Sequence, residues 1–192
     1  MRTAICAASG PSLTKKDLDY VRGKAALYAV NDVYKLAPWA DVLYSCDFEW
    51  WHHQATTDRA RFWAFKGEKW SVNKQAGQEF DVNVVGHSVA KPWSNDPKFI
   101  ATGGNSGFQA LNLADLHGFD RIILLGYDMK LADNGKRHFF GDHPSPMNKD
   151  SDYKRWIGYF EEALPFIRAE VINCTRSTAL TCFPRAELEK VI

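Results

Sequence analysis

The residues able to do chemistry come in short polar clusters, each at the end of an apolar run. They are Ser9-Gly10-Pro11-Ser12, Asn31-Asp32, Ser45-Cys46-Asp47 and Gly126-Tyr127-Asp128. A further cluster, Thr102-Gly103-Gly104-Asn105-Ser106-Gly107, opens a helical pattern. Glycines at a helix entrance let backbone N–H groups approach an anion, and the helix dipole favours negative charge there. Asn31 offers both a donor and an acceptor, which suits a nucleobase edge or a ribose, while Asp32 reads as the N-cap of a short helix over Val33 to Leu36. Asp128 follows a run of aliphatics, at the strand end where open α/β sheets bind ligands. His143, in H-F-F-G-D-H-P-S-P, is a loop histidine of the kind that serves as a general base near neutral pH. Each cluster also has a plain structural reading: a turn for the glycines, a cap for Asp128, a surface position for His143. Ser9-Gly10-Pro11-Ser12-Leu13 is neither the dinucleotide fingerprint nor a Walker loop.

Positioning these clusters requires strands that all end on one edge. Buried strands are predicted over Thr3 to Ala8, Ala25 to Val30, Val42 to Tyr44, Ile122 to Leu125 and Glu170 to Cys174, with further strands over Phe62 to Phe65 and Val82 to Val85. Helices are predicted over Lys15 to Gly23, with Leu18 and Val21 inward, and from Phe108 to a stop at Gly118. A third runs over Tyr153 to Ala169 with a break at Pro165, and a terminal one over Ala186 to Ile192. The alternation describes one α/β domain over residues 1–192, a mainly parallel sheet with helices on both faces. Two segments without periodicity, about 86–100 and 129–150, read as lid-like loops, the first equally as a structural excursion.

The totals bound the partners. A net charge of +1 over 192 residues gives no reason to expect nucleic acid. Cys6, Cys46, Cys174 and Cys182 are scattered without a C-x-x-C pair, so buried thiols are expected rather than a disulfide framework or a metal site. His52 and His53 are adjacent and point to different helix faces, a poor metal pair. No apolar stretch reaches spanning length and the first residues lack a secretory layout, so a cytoplasmic protein is expected. Seven Trp and twelve Phe are many for this length, which leads us to expect some of them in a cleft or in a homo-oligomer contact.

SGPSL after the first strand, Asn31 after the second, T-G-G-N-S-G before the long helix, G-Y-D after the next strand and the later G-D-H together carry a resemblance. In this order they resemble bacterial sialyltransferases that use CMP-sialic acid on a single Rossmann-like domain. N-C-T-R-S-T-A-L near the end is similar to that family's closing strand and loop. The chain also resembles the related domain that includes archaeal 6-hydroxymethylpterin pyrophosphokinase, and small phage-encoded proteins of unassigned role. The resemblance implies that Ser9, Gly10, Ser12 and Asn31 contact a nucleotide, that Thr102, Asn105, Ser106 and Gly107 lie near its sugar or phosphates, and that His143 deprotonates an acceptor hydroxyl. The sialyltransferases carry Asn where this chain has Ser9, and again near Ser45; Tyr127 and Tyr153 lie near the place of their phosphate-contacting tyrosines. The expectation is a glycosyltransferase with a nucleotide-sugar donor and no required cofactor. Asp47 instead looks like the pyrophosphokinase branch, in which Asp47 and Asp128 would hold Mg²⁺ between phosphates. The competing expectation is a non-catalytic phage accessory or assembly protein that keeps the fold.

Overall fold

In the computed structural model, residues 1–145, 147 and 151–192 are described. The strand residues alternate strictly between two apolar surfaces, which is what a sheet covered on both faces demands. In β1 (Thr3–Ala7), Ala4 and Cys6 face one core while Ile5 and Ala7 face the other. The same alternation runs through β2 (Ala26–Val30), β3 (Val42–Tyr44), β8 (Arg121–Leu125) and β9 (Glu170–Asn173). With β4 (Glu68–Ser71) and β5 (Asn83–Val84) these form a seven-stranded, wholly parallel sheet in the order β5-β4-β3-β2-β1-β8-β9. A small parallel pair, β6 (Gly86–Ser88) and β7 (Phe99–Ala101), stands apart from it.

One face is covered by α5 (Ser106–Leu116) and α6 (Tyr153–Ala163), through Phe108, Leu111 and Phe160. The other is covered by α1 (Lys15–Val21), a 3-10 helix (Asn31–Lys35), α2 (Phe48–Thr57), α3 (Arg59–Ala64) and α4 (Lys74–Phe80). The fold is therefore α/β and Rossmann-like, with helices on both sides of a parallel sheet. From β1 the chain winds outward through β2 to β5, then returns to place β8 on the other side of β1. That reversal between β1 and β8 is the topological switch point, where a crevice opens beyond the strands' carboxyl ends.

Several expectations needed correction. Phe62 to Phe65 is not a strand: Phe62 lies in α3 and is fully buried, and the strand is the following Glu68–Ser71. Its Lys69 hid the pattern, because the stem is buried while the ammonium lies 5.4 Å from the Phe62 ring centroid. Asp32 does not cap a helix, since the 3-10 helix begins at Asn31 with Val30 before it and no side-chain cap. The terminal helix shrinks to a 3-10 turn, Leu188–Lys190. Residues 86–101 are no featureless loop; Trp93 Nε1 donates to buried Asp115 at 3.0 Å and Asn112 ties Ser94 and Ala101, so the segment is fastened to α5.

Candidate active site

A cavity of about 420 Å³ opens at the switch point, lined by Ser9 and Gly10 after β1, Asn31 after β2, Cys46 and Asp47 after β3, Asp128 after β8 and Gly104–Gly107 at the start of α5. It is of a size that takes a small organic ligand. Gly10 and Gly126 allow the ends of β1 and β8 to close on one another. A Cβ on Gly10 would meet Asp128 Oδ1 at 2.1 Å and the Gly126 carbonyl at 2.4 Å; one on Gly126, at φ +68°, would meet the Ala8 carbonyl at 2.1 Å.

This close approach buries Asp128, which is 3% exposed. Its Oδ2 accepts the Ser12 N–H at 3.0 Å, whereas Oδ1 has no hydrogen-bond partner among the described residues. Burial holds its carboxyl above the usual range, opposed by the hydrogen bond from Ser12. Ser12 therefore acts behind Asp128 and does not line the cavity; its own Oγ accepts from Ser177 N at 3.3 Å. The closing segment fixes the same strand end from the other side. Thr175 Oγ1 accepts from Tyr127 N at 2.9 Å, Thr178 Oγ1 donates to the Tyr127 carbonyl at 2.6 Å, and Ala179 N donates to the Asp128 carbonyl at 2.8 Å. Arg176 pairs with Asp17 of α1 at 2.6 Å, fastening that clamp to the first helix.

On the α5 wall, Asn105 is the N-cap. Its Oδ1 accepts from Phe108 N at 2.9 Å and its Nδ2 donates to the Gly103 carbonyl at 3.1 Å, so its side chain builds the turn. The first N–H groups of α5, on Ser106 and Gly107, belong to a helix end that opens on the cavity. Ser106 Oγ accepts from Cys46 N at 3.1 Å and donates to Cys46 Sγ at 3.1 Å, locking α5 to the end of β3. Burial, aided by the Asp47 charge, pushes the Cys46 thiol up to about 12, which favours its protonated form. Tyr127 is fully buried and donates to the Gly107 carbonyl at 2.9 Å; it supports the α5 entrance from below, and of the two tyrosines only Tyr153 lines the cavity. Thr102 lies outside it. Its carbonyl accepts from Gln109 Nε2 at 2.8 Å, and the residue borders an adjoining cavity of about 520 Å³ whose wall shares Gly104, Asp152 and Trp156 with the first.

The opposite wall comes from the long segment after Asp128. Phe139 N donates to the Ser9 carbonyl at 3.1 Å, which lays the segment over the end of β1 and brings Arg137, His138 and His143 to the cavity. His143 Nδ1 lies 3.8 Å from Asp32 Oδ2. Burial lowers the basicity of His143, while the Asp32 charge opposes this. His138, with its ring centroid 4.8 Å away, is held at about 4 by burial and by the neighbouring His143. Both shifts favour the neutral ring. Asn31 adopts φ 51°, a left-handed conformation that Asn tolerates better than most residues, and its Oδ1 is buried without a hydrogen-bond partner among the described residues. Lys130 and Arg137 add positive charge to the rim. Among the described residues no group of three or more His, Cys, Asp or Glu is arranged to hold a metal ion, and no helix is long and apolar enough to cross a membrane.

From sequence Asp32 reads as a cap and Trp156 as an apolar position of the helix after Tyr153, and nothing singles out Lys130 or Arg137. For Asp32 the signal was present, a polar pair directly after a buried strand. The rim cations gave none, because their segment carries no periodicity that orients them toward the strand ends.

No protein-family model matches this chain, and no curated protein does. Among solved structures the chain is similar to the MAf glycosyltransferase from Magnetospirillum magneticum AMB-1, with a TM-score of 0.70 at 12% sequence identity. The match covers 99% of this chain and 34% of that one, so the chain spans about a third of the neighbour's length. At this identity the similarity defines a shared α/β fold.

Proposed function

We propose that this chain is a nucleotide-dependent transferase that moves a glycosyl group from a nucleotide sugar to a hydroxyl acceptor. The observation that carries the reading is the single cavity at the switch point. There the ends of four separate strands, the amino end of α5, two rim cations and His143 face the same space. In this reaction His143 takes the proton of the acceptor hydroxyl. The oxygen's electron pair forms the new bond to the anomeric carbon, and the bond from that carbon to the phosphate oxygen breaks, its electron pair leaving with the nucleotide. In this reading the N–H groups of Ser106 and Gly107, with Lys130, would hold the departing phosphate. Asn31 and Ser9 would contact the nucleoside. That the fold neighbour is described as a glycosyltransferase favours glycosyl transfer over other chemistries.

A second reading draws on Asp128 Oδ1, a buried carboxylate oxygen without a partner, and on Asp47, which lines the same cavity. These two could take Mg²⁺ for phosphoryl or pyrophosphoryl transfer. A thermal-shift panel of CMP, UMP, GDP and ATP, with and without Mg²⁺, separates the two. Stabilisation by a pyrimidine or guanine nucleotide without metal supports glycosyl transfer, and an ATP response that requires Mg²⁺ supports the second reading. No response to any nucleotide refutes both and favours a non-catalytic protein. Under the first reading, His143→Ala abolishes turnover and leaves nucleotide affinity intact.

A further inference from the structure

Behind His143, on the wall opposite α5, lies a braced carboxylate that the transfer step above does not use. Asp32 is 4% exposed and each of its oxygens is engaged. Trp50 Nε1 donates to Oδ2 at 2.9 Å, Lys35 Nζ lies 2.6 Å from Oδ1, and Gln54 Nε2 is 3.4 Å from Oδ1. Trp50 and Gln54 are one turn apart on α2, so a single helix face grips the carboxylate while Lys35 closes it from the end of the 3-10 helix. A carboxylate fixed at both oxygens has one orientation, and in that orientation Oδ2 faces His143 Nδ1.

We propose that Asp32 is the positioning residue of His143, accepting the Nδ1 proton so that the unprotonated Nε2 is presented to the cavity. This rests on the reading of His143 as the base. A neutral imidazole carries one proton, and the partner of one nitrogen decides which nitrogen keeps it. The separation of 3.8 Å is longer than a hydrogen bond, and contacts of this kind are often long before the ligand binds and tighten in the complex. Once His143 has taken a proton at Nε2, the Asp32 charge stabilises the imidazolium.

The remaining charged and titratable groups around the ring set the balance. Asp47, beside α2, adds negative charge, whereas Lys35 and His53 add positive charge and oppose protonation. His138, on the same segment as His143, is kept neutral by its burial, so no second imidazolium competes for the carboxylate. Phe140 flanks His143 at 4.9 Å between ring centroids and limits its rotation.

The test is the protonation pattern of the ring itself. Long-range ¹H–¹⁵N spectra of the full chain are recorded from pH 5 to 8, with His143→Gln assigning the His143 signals among the six histidines. The wild type is expected to show Nδ1–H as the neutral form. Asp32→Asn is expected to lose that preference and to titrate at lower pH. Turnover in that variant should fall about 10²–10⁴-fold, the span of a general-base contribution, with nucleotide affinity unchanged. A purely structural Asp32 would move stability and affinity together and leave the ring's form alone. Nε2–H as the neutral form in the wild type overturns the proposal, a result available even where Asp32→Asn does not fold. An unchanged His143 titration in a folded Asp32→Asn protein overturns it as well. If Asp32 sets the form of His143 in a chain that binds no nucleotide, the positioning role stands and the transferase reading falls.

Discussion

Replacing Asp128 by Asn should make the ligand-free protein more stable at pH 7. Asp128 is 3% exposed, has one oxygen bonded to the Ser12 N–H at 3.0 Å, and leaves Oδ1 unpartnered against Gly10. A buried polar group left without a partner costs about 1–3 kcal/mol. Asn keeps an acceptor for Ser12 and removes the buried charge, so the share of the cost that comes from the charge is relieved, while a polar atom stays without a partner beside Gly10. In a chain of this size 1 kcal/mol corresponds to about 2–4 °C, giving an expected rise in Tm of about 2–12 °C. The sign has a pH signature. Burial raises the native carboxyl above its ordinary 3.8, so the folded state binds the proton more tightly than the unfolded state does. The stability this proton gives is complete below 3.8 and is lost as pH rises through the native value. The wild type should therefore fall behind Asp128→Asn as pH rises through that window, and the gap should hold constant to pH 8. Calorimetric melts of both proteins at half-unit pH steps measure the difference. A variant that melts below the wild type at pH 7, or a gap that does not change with pH, would refute the reasoning.

Two further perturbations probe the frame that holds the site. Gly10→Ala drives a methyl to within 2.4 Å of the Gly126 carbonyl, which is backbone and cannot turn away; we expect a loss of about 3 kcal/mol, or about 6–12 °C in Tm, with nucleotide binding lost alongside. Equal melting temperatures in a calorimetric scan would contradict this packing. Arg176→Ala removes the partner of Asp17, whose carboxyl burial alone would raise but which hydrogen bonds from Arg176 and Thr14 bring below its ordinary 3.8. A depressed native value stabilises above 3.8 and is lost as pH falls through it, so the variant should trail the wild type at neutral pH and converge with it in acid. With Arg176 half exposed, the neutral-pH deficit should be about 1 kcal/mol, and a deficit that persists unchanged in acidic urea melts would argue against the pairing.

The parts of the fold that could be read from sequence are those where burial is symmetrical. Ile122 to Leu125 is apolar on both faces and so announces a central strand, and Thr3 to Ala7 does the same with smaller residues. The polar residues that end these strands marked the cavity for the same reason: the strands are parallel, so their carboxyl ends share an edge. Reading failed where a charged side chain served an apolar purpose. Lys69 buries its stem and sets its ammonium over the Phe62 and Trp63 rings, and its presence masked β4. It failed again where a polar residue acts through a distant partner. Asp32 read as a local cap because its real contacts, Trp50, Gln54 and His143, lie on segments 18 to 111 residues away that only the folded chain brings near. Ser12 was taken to face the ligand, yet it works from behind through its backbone N–H to Asp128, a role no residue type advertises.

The central claim is that the ends of β1, β2 and β8 and the entrance of α5 form one nucleotide site, and amide shift mapping tests it most directly. On titration with the nucleotide that gives the largest thermal shift, the account predicts that the N–H signals of Gly10, Ser106 and Gly107 and the side-chain amide of Asn31 move together along one saturation curve. Shifts confined to residues away from these strand ends, or separate curves for Asn31 and Ser106, would contradict it.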